Sequence, residues 1–149
     1  MRLSFTAAVV AVLFSAARPL GAQVIVRGDA GGAPGRYHPL YMADSTWAAL
    51  DTESIARQDD GTLSVWISWD YVPVRRFSFL PAPADHMMQR QDVDCAARRM
   101  RPRVATYYAP DGAVLRSYEG EAAASWKPVV PATIGEAVLD GVCAFTNRS

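Results

Sequence analysis

The stretch TLSVWISWDY, residues 62–71, decides the fold class because its apolar and polar side chains alternate. Successive side chains of a β-strand point to opposite faces of the sheet, so this alternation predicts a strand with one apolar and one mostly polar face. The apolar series consists of Leu63, Val65, Ile67, Trp69 and Tyr71.

Trp66 is the exception on the polar face of that strand. Packing under a loop or against a neighbouring strand is the commoner role of such a residue. Because exposed aromatic side chains are enriched at protein interfaces, Trp66 is also the sequence-based candidate for binding a partner protein.

The flanks of this strand contain a turn, a shorter strand and a loop. Asp59–Gly61 predicts a turn, and WAALD, residues 47–51, predicts a shorter strand before it. Three prolines within residues 72–86 argue against a regular central strand there, so we expect a loop around LPAPAD, residues 80–85.

A β-hairpin follows nearer the C-terminus. Residues 87–100 have an extended pattern, and RVATYYA (103–109) and AVLRSY (113–118) flank the turn Pro110–Gly112. Antiparallel β-structure therefore dominates, and no internal repeat is visible.

The last element is a helix with a specific start. Thr133 is a good N-cap residue, Glu136 completes a capping box, and Pro131 prevents an earlier start. A helix of about eleven residues is unstable alone in water, so it must dock on the apolar face of the sheet. The predicted apolar stripe consists of Ile134, Val138 and Val142, with Gly141 beside it.

The N-terminal residues have the pattern of a secretory signal peptide over residues 1–22. Arg2 precedes an apolar run from Ala7 to Phe14, and small residues lie near Ala22, the expected cleavage site. A retained anchor helix is the alternative, but the apolar run is short for spanning a bilayer. No cysteine lies near the cleavage site, so we do not expect a lipid anchor, nor a transmembrane segment in the mature protein.

Composition indicates one ordinary globular domain: 50% of the 149 residues are hydrophobic, and 15 basic side chains balance 15 acidic ones. Removing Arg2 and Arg18 with the signal peptide leaves 13 basic side chains and a formal charge of −2. This balance argues against a nucleic-acid-binding protein. The single basic cluster, Arg98–Arg103, fits a solvated strand face better than a phosphate-binding patch.

Residues 23–43 are rich in glycine and proline and predict an irregular N-terminal arm before a single domain at 44–145. The arm contains Arg27, Gly28 and Asp29, a tripeptide known as an integrin ligand. A flexible turn is the commoner explanation of so short a motif.

The two cysteines, Cys95 and Cys143, favour one disulfide over two free thiols or an intermolecular bridge, because an exported protein meets oxidising conditions. His38 and His86 lack ligand spacing to either cysteine, so we expect no metal site. A bridge between the two would close a loop of 48 positions and tether the helix to the sheet. The chain-entropy model gives such a bridge roughly 4 kcal/mol.

No catalytic motif is present: the chain has no glycine-rich phosphate loop, no His-x-x-x-His pair and no Gly-x-Ser-x-Gly elbow. We expect His38 and His86 to be surface residues. The acid pairs Asp59/Asp60 and Asp92/Asp94 are of types that serve hydrolases or calcium sites, but solvation is the commoner state of such carboxylates. We therefore expect no enzyme and no cofactor.

Several motifs together resemble the surface-adhesin protein E family of bacterial exported proteins. They occur in the family's order between about Trp47 and Cys143. Residues 75–88 and the N-terminal arm depart from the family pattern. The motifs are W-x(3)-D-x-x-S-I-x-R from Trp47, VWISWDY, DVDC before an arginine-rich stretch, TYY, and W-x-P-V-V-P-x-T-x-G-E before a final VC.

The resemblance implies a curved antiparallel sheet of about six strands with the C-terminal helix on its concave face, and it pairs Cys95 with Cys143. It also implies an exported, non-enzymatic binding module that contacts host extracellular-matrix or plasma proteins. The alternative is a periplasmic envelope or accessory protein that binds a small molecule or another envelope component, since function does not follow from fold.

Overall fold

The computed structural model describes residues 35–43, 45–120 and 125–148. The predicted signal peptide, most of the predicted arm and the tripeptide at residues 27–29 lie outside this part of the chain.

The described residues form one antiparallel sheet and one helix. Six strands follow chain order across the sheet, and a short seventh strand pairs with the start of the fifth. The sheet is curved and open, and helix α1 packs on its concave face, which confirms the predicted α+β fold. The strands are β1 Tyr37–Ala43, β2 Thr46–Arg57, β3 Leu63–Arg75, β4 Ala84–Asp94, β5 Arg99–Tyr108, β6 Val114–Glu119 and β7 Lys127–Pro128, and α1 is Ile134–Thr146.

The core lies between the centre of the sheet and α1, as the alternation in β3 predicts. Leu63, Val65 and Ile67 are at most 2% exposed and face the helix. Polar side chains occupy the opposite, convex face of the same strand. The apolar face thus gives the short helix the surface that it needs.

The last seven residues of the predicted irregular arm, Tyr37–Ala43, instead form strand β1, so that part of the prediction is wrong. Pro39 is tolerated because β1 is an edge strand, where a missing N–H breaks no ladder on the open side. Leu40 packs on the helix, and a Cβ atom added to Gly141 would lie 2.7 Å from its Cδ2 atom.

The proline-rich segment is extended over more of its length than predicted. Residues 72–75 belong to β3 and residues 84–86 to β4, so the loop covers only residues 76–83. The β3–β4 register is irregular between Asp70 and Arg75, which leaves Pro73, after a cis peptide bond, outside the regular ladder.

Both turns predicted from Asp-Gly pairs are present. The N–H of Gly61 donates to the carbonyl of Gln58, and the N–H of Gly112 donates to the carbonyl of Ala109. Both glycines have positive φ angles, which glycine adopts without the steric cost of a side chain. The second turn joins β5 to β6 as the predicted hairpin.

The start of α1 follows the predicted capping box with one difference. The Thr133 hydroxyl accepts the Glu136 backbone N–H at 3.4 Å. The Glu136 carboxylate reaches back to the N–H of Ala132 at 2.8 Å, one residue before the N-cap. The N–H of Ala132 precedes the helix. The Thr133 hydroxyl and the Glu136 carboxylate together therefore fix the direction in which the chain enters the helix.

The predicted apolar stripe of α1 is wrong at its first position. Ile134 is 38% exposed, whereas Val138, Leu139 and Val142 are buried against the sheet. A four-residue repeat drifts by roughly 40° per step around a helix with 3.6 residues per turn. Leu139 therefore lies on the buried side and Ile134 does not.

The disulfide between Cys95 and Cys143 is present and joins the turn after β4 to the last part of α1. It confirms the predicted tether.

Within the described ranges, no helix is long and apolar enough to cross a membrane.

Candidate functional site

Trp66 lies on the convex face, between two neighbouring strands. It is opposite Asp51 of β2 and Arg90 of β4, and its own backbone N–H donates to the Ser54 hydroxyl at 2.8 Å. Its side chain is half-buried. This position agrees with packing against neighbouring strands, and binding by Trp66 stays a prediction.

The basic cluster Arg98–Arg103 lies beside carboxylates. Arg98 pairs with Glu136 and Asp140 of the helix at 3.0 and 2.8 Å. The other pairs are Arg99 with Asp94 at 2.9 Å, Arg101 with Asp92 at 2.7 Å, and Arg103 with Asp92 at 3.7 Å. These pairs neutralise much of the positive charge that a phosphate would need.

Three carboxylates of the two predicted acid pairs, those of Asp60, Asp92 and Asp94, have structural roles. Asp92 is buried beside Arg101, whereas Asp94 accepts the Ala97 N–H at 3.0 Å and closes the turn after β4. Asp60 accepts the N–H and hydroxyl of Thr62, and these hydrogen bonds lower its pKa. No group of three or more potential metal ligands occurs in the part of the chain that is described.

The two histidines are less exposed than the sequence suggests. His38 packs against the ring of Phe145 at 4.9 Å between centroids. His86 Nδ1 lies 2.9 Å from a carboxylate oxygen of Asp70, which is 6% exposed. Both histidines are half-buried, and the strand register places His86 directly opposite the buried Asp70.

The Asp70–His86 pair lies at a cleft near the end of the sheet. One part of the cleft, of about 560 Å³, is lined by Asp70, Tyr71, Asp85 and residues 72–74, among others. A neighbouring part of about 320 Å³ shares Asp85 and adds His86 and Tyr108. No serine, threonine or cysteine is among the described residues that line the two parts of the cleft, and its hydroxyl groups belong to Tyr71 and Tyr108.

A partly exposed aromatic cluster lies at the other end of the concave face from α1. Adjacent rings are 5.4–6.3 Å apart between centroids, and most pairs have edge-to-face geometry. The loop at residues 76–83 contributes two of the rings and the strands contribute three. The members are Tyr71, Phe77, Phe79, Tyr107 and Tyr118. Together with Arg75 and Arg116 we call them the aromatic–arginine surface.

The strands and the loop hold this surface together. Tyr107 and Arg116 are directly opposite each other on β5 and β6, so their side chains share the concave face. A guanidinium N–H of Arg116 donates to the backbone carbonyl of Phe79 at 2.8 Å and fixes the loop over β6. The N–H of Leu80 donates to the carbonyl of Phe77, which closes a turn within the loop.

The two arginines of this surface stack on rings. Arg75 lies 5.2 Å from the Phe77 ring centroid, and Arg116 lies 4.8 Å from that of Tyr118. Within the described part of the chain neither one pairs with a carboxylate, unlike the arginines of β5. The surface therefore combines exposed aromatic rings with positive charge that has no acidic partner there.

The hydroxyls of Tyr71 and Tyr107 remain neutral at physiological pH. Burial raises the pKa of Tyr71, and burial together with the neighbouring Tyr118 raises the pKa of Tyr107. Phe79 and Tyr118 are 42% and 36% exposed, so the surface is open to a partner. Neutral hydroxyls beside apolar rings suit contact with protein.

Sequence spacing does not reveal this surface because its residues come from three strands and a loop. The stretch RRFSF, residues 75–79, is the sequence feature that indicates this surface. Two phenylalanines in a proline-rich loop are expected to pack against other apolar side chains. Their packing on Tyr107 depends on how the loop folds back.

The comparison with protein families matches residues 40–144 to the model described as surface-adhesin protein E. A search among curated proteins finds no match. Solved structures of Haemophilus influenzae protein E have the same fold. Its crystal form II aligns with a TM-score of 0.54 and 12% identity over 78% of this chain and 93% of that one.

A second structure, of protein E from non-typeable Haemophilus influenzae, aligns with a TM-score of 0.53 and 12% identity over 80% of this chain and 82% of that one. Identities this low establish a shared fold alone, whereas the family match covers more than half of the chain. The motifs, the disulfide and this match agree: the chain belongs to the surface-adhesin protein E family.

Proposed function

We propose that the protein is an exported, non-enzymatic bacterial binding module that contacts other proteins through the aromatic–arginine surface. The observation that carries this proposal is the exposed ring cluster with two guanidinium groups stacked on it. Aromatic and arginine side chains are enriched at protein interfaces and dominate binding energy there.

The family supports the same role. Its name describes a surface adhesin, and host extracellular-matrix or plasma proteins are the partners that we propose first. The contact would be made outside the cytoplasm, where the Cys95–Cys143 disulfide is stable. Export depends on the predicted signal peptide at residues 1–22.

Binding to an immobilised panel of matrix and plasma proteins tests this function. Phe79→Ser removes an exposed ring from the surface, and Val130→Ser removes an exposed apolar side chain outside it as the control. We expect Phe79→Ser to weaken binding about tenfold or more, because interface anchors cost over 1 kcal/mol when truncated. Equal binding by both variants, or turnover of a substrate by the purified protein, would contradict the proposal.

The alternative function is a periplasmic protein that binds a small molecule or another envelope component. The cleft beside Asp70 and His86 favours it, since its volume is in the range of small-molecule sites. Protease treatment of intact cells separates the two locations. We expect the protein to be digested on intact cells; protection until the outer membrane is opened would instead support the alternative.

A further inference from the structure

Among the residues that the structure describes, strand β6 is an edge of the sheet, beside the aromatic–arginine surface. It is the last of the six strands that follow chain order, and β7 pairs with β5 instead of covering it. Five of its six residues are exposed. An edge strand presents unpaired backbone groups to which another chain can add.

The hydrogen-bond pattern identifies which backbone groups of β6 point outward. The N–H of Gly120 donates to the carbonyl of Arg103 at 2.6 Å, and the pairing from Glu119 back to Arg116 is regular. Alternation along an antiparallel pair then turns Arg116 and Tyr118 toward β5. The N–H and carbonyl groups of Ser117 and Glu119 face away from the sheet.

The two edges of the sheet differ in how they are protected. The β1 edge has Pro39, an irregular register after that residue and contacts with α1, all of which hinder addition of a strand. β6 contains no proline, and its four residues from Arg116 to Glu119 keep regular geometry. The accessible edge is therefore the one beside the exposed rings.

The charge of the surface selects the chemistry of the added strand. Arg75 and Arg116 stack on rings without carboxylate partners in the part of the chain described, so carboxylates from another molecule can pair with them. Side chains of an added strand alternate between faces, and every second one would point toward Arg116 and Tyr118. Acidic residues with this period fit the surface.

Resting on the proposed function, we propose that an extended segment of the partner protein adds to β6 as a further strand and carries acidic side chains at alternate positions. Its backbone pairs with Ser117 and Glu119, and its carboxylates reach Arg116, which lies on β6 itself. An acidic polysaccharide could use the arginines and the rings but not the outward amide of Ser117, so the open edge favours a polypeptide.

Peptides selected from a random-peptide library against the mature protein test this proposal. We expect acidic residues at alternate positions in the selected peptides. Ser117→Pro removes the outward N–H without breaking a backbone hydrogen bond to β5. Ser117→Ala keeps the N–H and is the matched control, because both variants lose the side-chain hydrogen bond between Ser117 and Thr106. Loss of a backbone hydrogen bond should weaken peptide binding by about tenfold in Ser117→Pro alone.

A second measurement leaves the protein unchanged in case Ser117→Pro fails to fold. Two versions of the selected peptide are methylated at alternate backbone nitrogens, one at the odd positions and the other at the even positions. Only the version that has lost the N–H groups facing β6 should fail to bind. Equal binding of both methylated peptides, or selected peptides without acidic residues, would overturn the proposal. The proposal would also be overturned if a heparin oligosaccharide bound more tightly than the peptides and Ser117→Pro did not weaken that binding.

The outcomes separate this inference from the proposed function. If Phe79→Ser removes partner binding while Ser117→Pro matches Ser117→Ala, strand addition is wrong and the binding surface remains. If Phe79→Ser has no effect on partner binding, the proposed function itself fails.

Discussion

At the scale of single residues, two groups of arginines in the described chain have different environments. Those on β5 lie beside carboxylates, and Arg101 and Asp92 form the most buried of these pairs. Arg75 and Arg116 instead stack on aromatic rings. The sequence shows the arginines but not their partners, because each pairing depends on strand register. The first group stabilises the fold, and the second is available for binding.

Replacing Arg101 by leucine tests the structural role of the first group. Asp92 is 4% exposed and accepts two hydrogen bonds from Arg101, so the variant leaves a buried carboxylate with weaker partners. We expect the free energy of unfolding to fall by about 2 kcal/mol. Urea unfolding measures it, with the exposed Arg57→Leu as a control; equal stability of the two variants would show that the pair contributes little.

Asp94 gives the fold a dependence on acid pH. The backbone N–H of Ala97, and then Arg99, lower its pKa in the folded protein. Its contribution to stability is therefore complete above the unfolded value of about 4 and is lost as pH falls through the folded value. Unfolding free energy measured from about pH 5 to about pH 2 should decline less steeply in Asp94→Asn than in the wild type. Equal slopes of unfolding free energy against pH in Asp94→Asn and the wild type would contradict this assignment. An equally shallow slope in the exposed Asp59→Asn would contradict it too.

At the scale of elements, the helix was predictable and the loop was not. The Thr133–Glu136 box specifies the start of α1 locally, so sequence alone could place it. A stripe of residues four apart does not include Leu139, since its positions drift around the helix. The contacts of loop 76–83 join residues distant in sequence, such as Phe77 and Tyr107, so no local pattern encodes them.

The disulfide determines how firmly α1 is attached to the sheet. Cys143→Ser should lower the free energy of unfolding by roughly 2–5 kcal/mol, as for a native bridge in a small secreted domain. Amide exchange should accelerate first in α1, which is too short to persist undocked. Cys95→Ser should have the same effect because it removes the same bridge. A mass showing two free thiols in the native protein would refute the tether.

At the scale of the whole molecule, strands that are neighbours in the chain are also neighbours in the sheet. Alternation and turn residues predict β3 and the β5–β6 hairpin, whereas the count of about six strands rests on the family resemblance and the segment of β1 is expected to be irregular. The Asp70–His86 pair and the aromatic–arginine surface were not accessible, since cross-strand register and loop folding bring their members together. The concave face is thus divided between a helix that completes the core and a loop that presents aromatic rings.

Photo-crosslinking in the native bacterium, in contact with host matrix, tests the central claim most directly. A benzophenone amino acid placed at Phe79 probes the aromatic–arginine surface, and the same group at Trp66 probes the convex face. The account predicts protein adducts from position 79 that disappear when Arg75 and Arg116 are both replaced by glutamine. Adducts from position 66 alone would contradict it and would identify Trp66 as the binding residue.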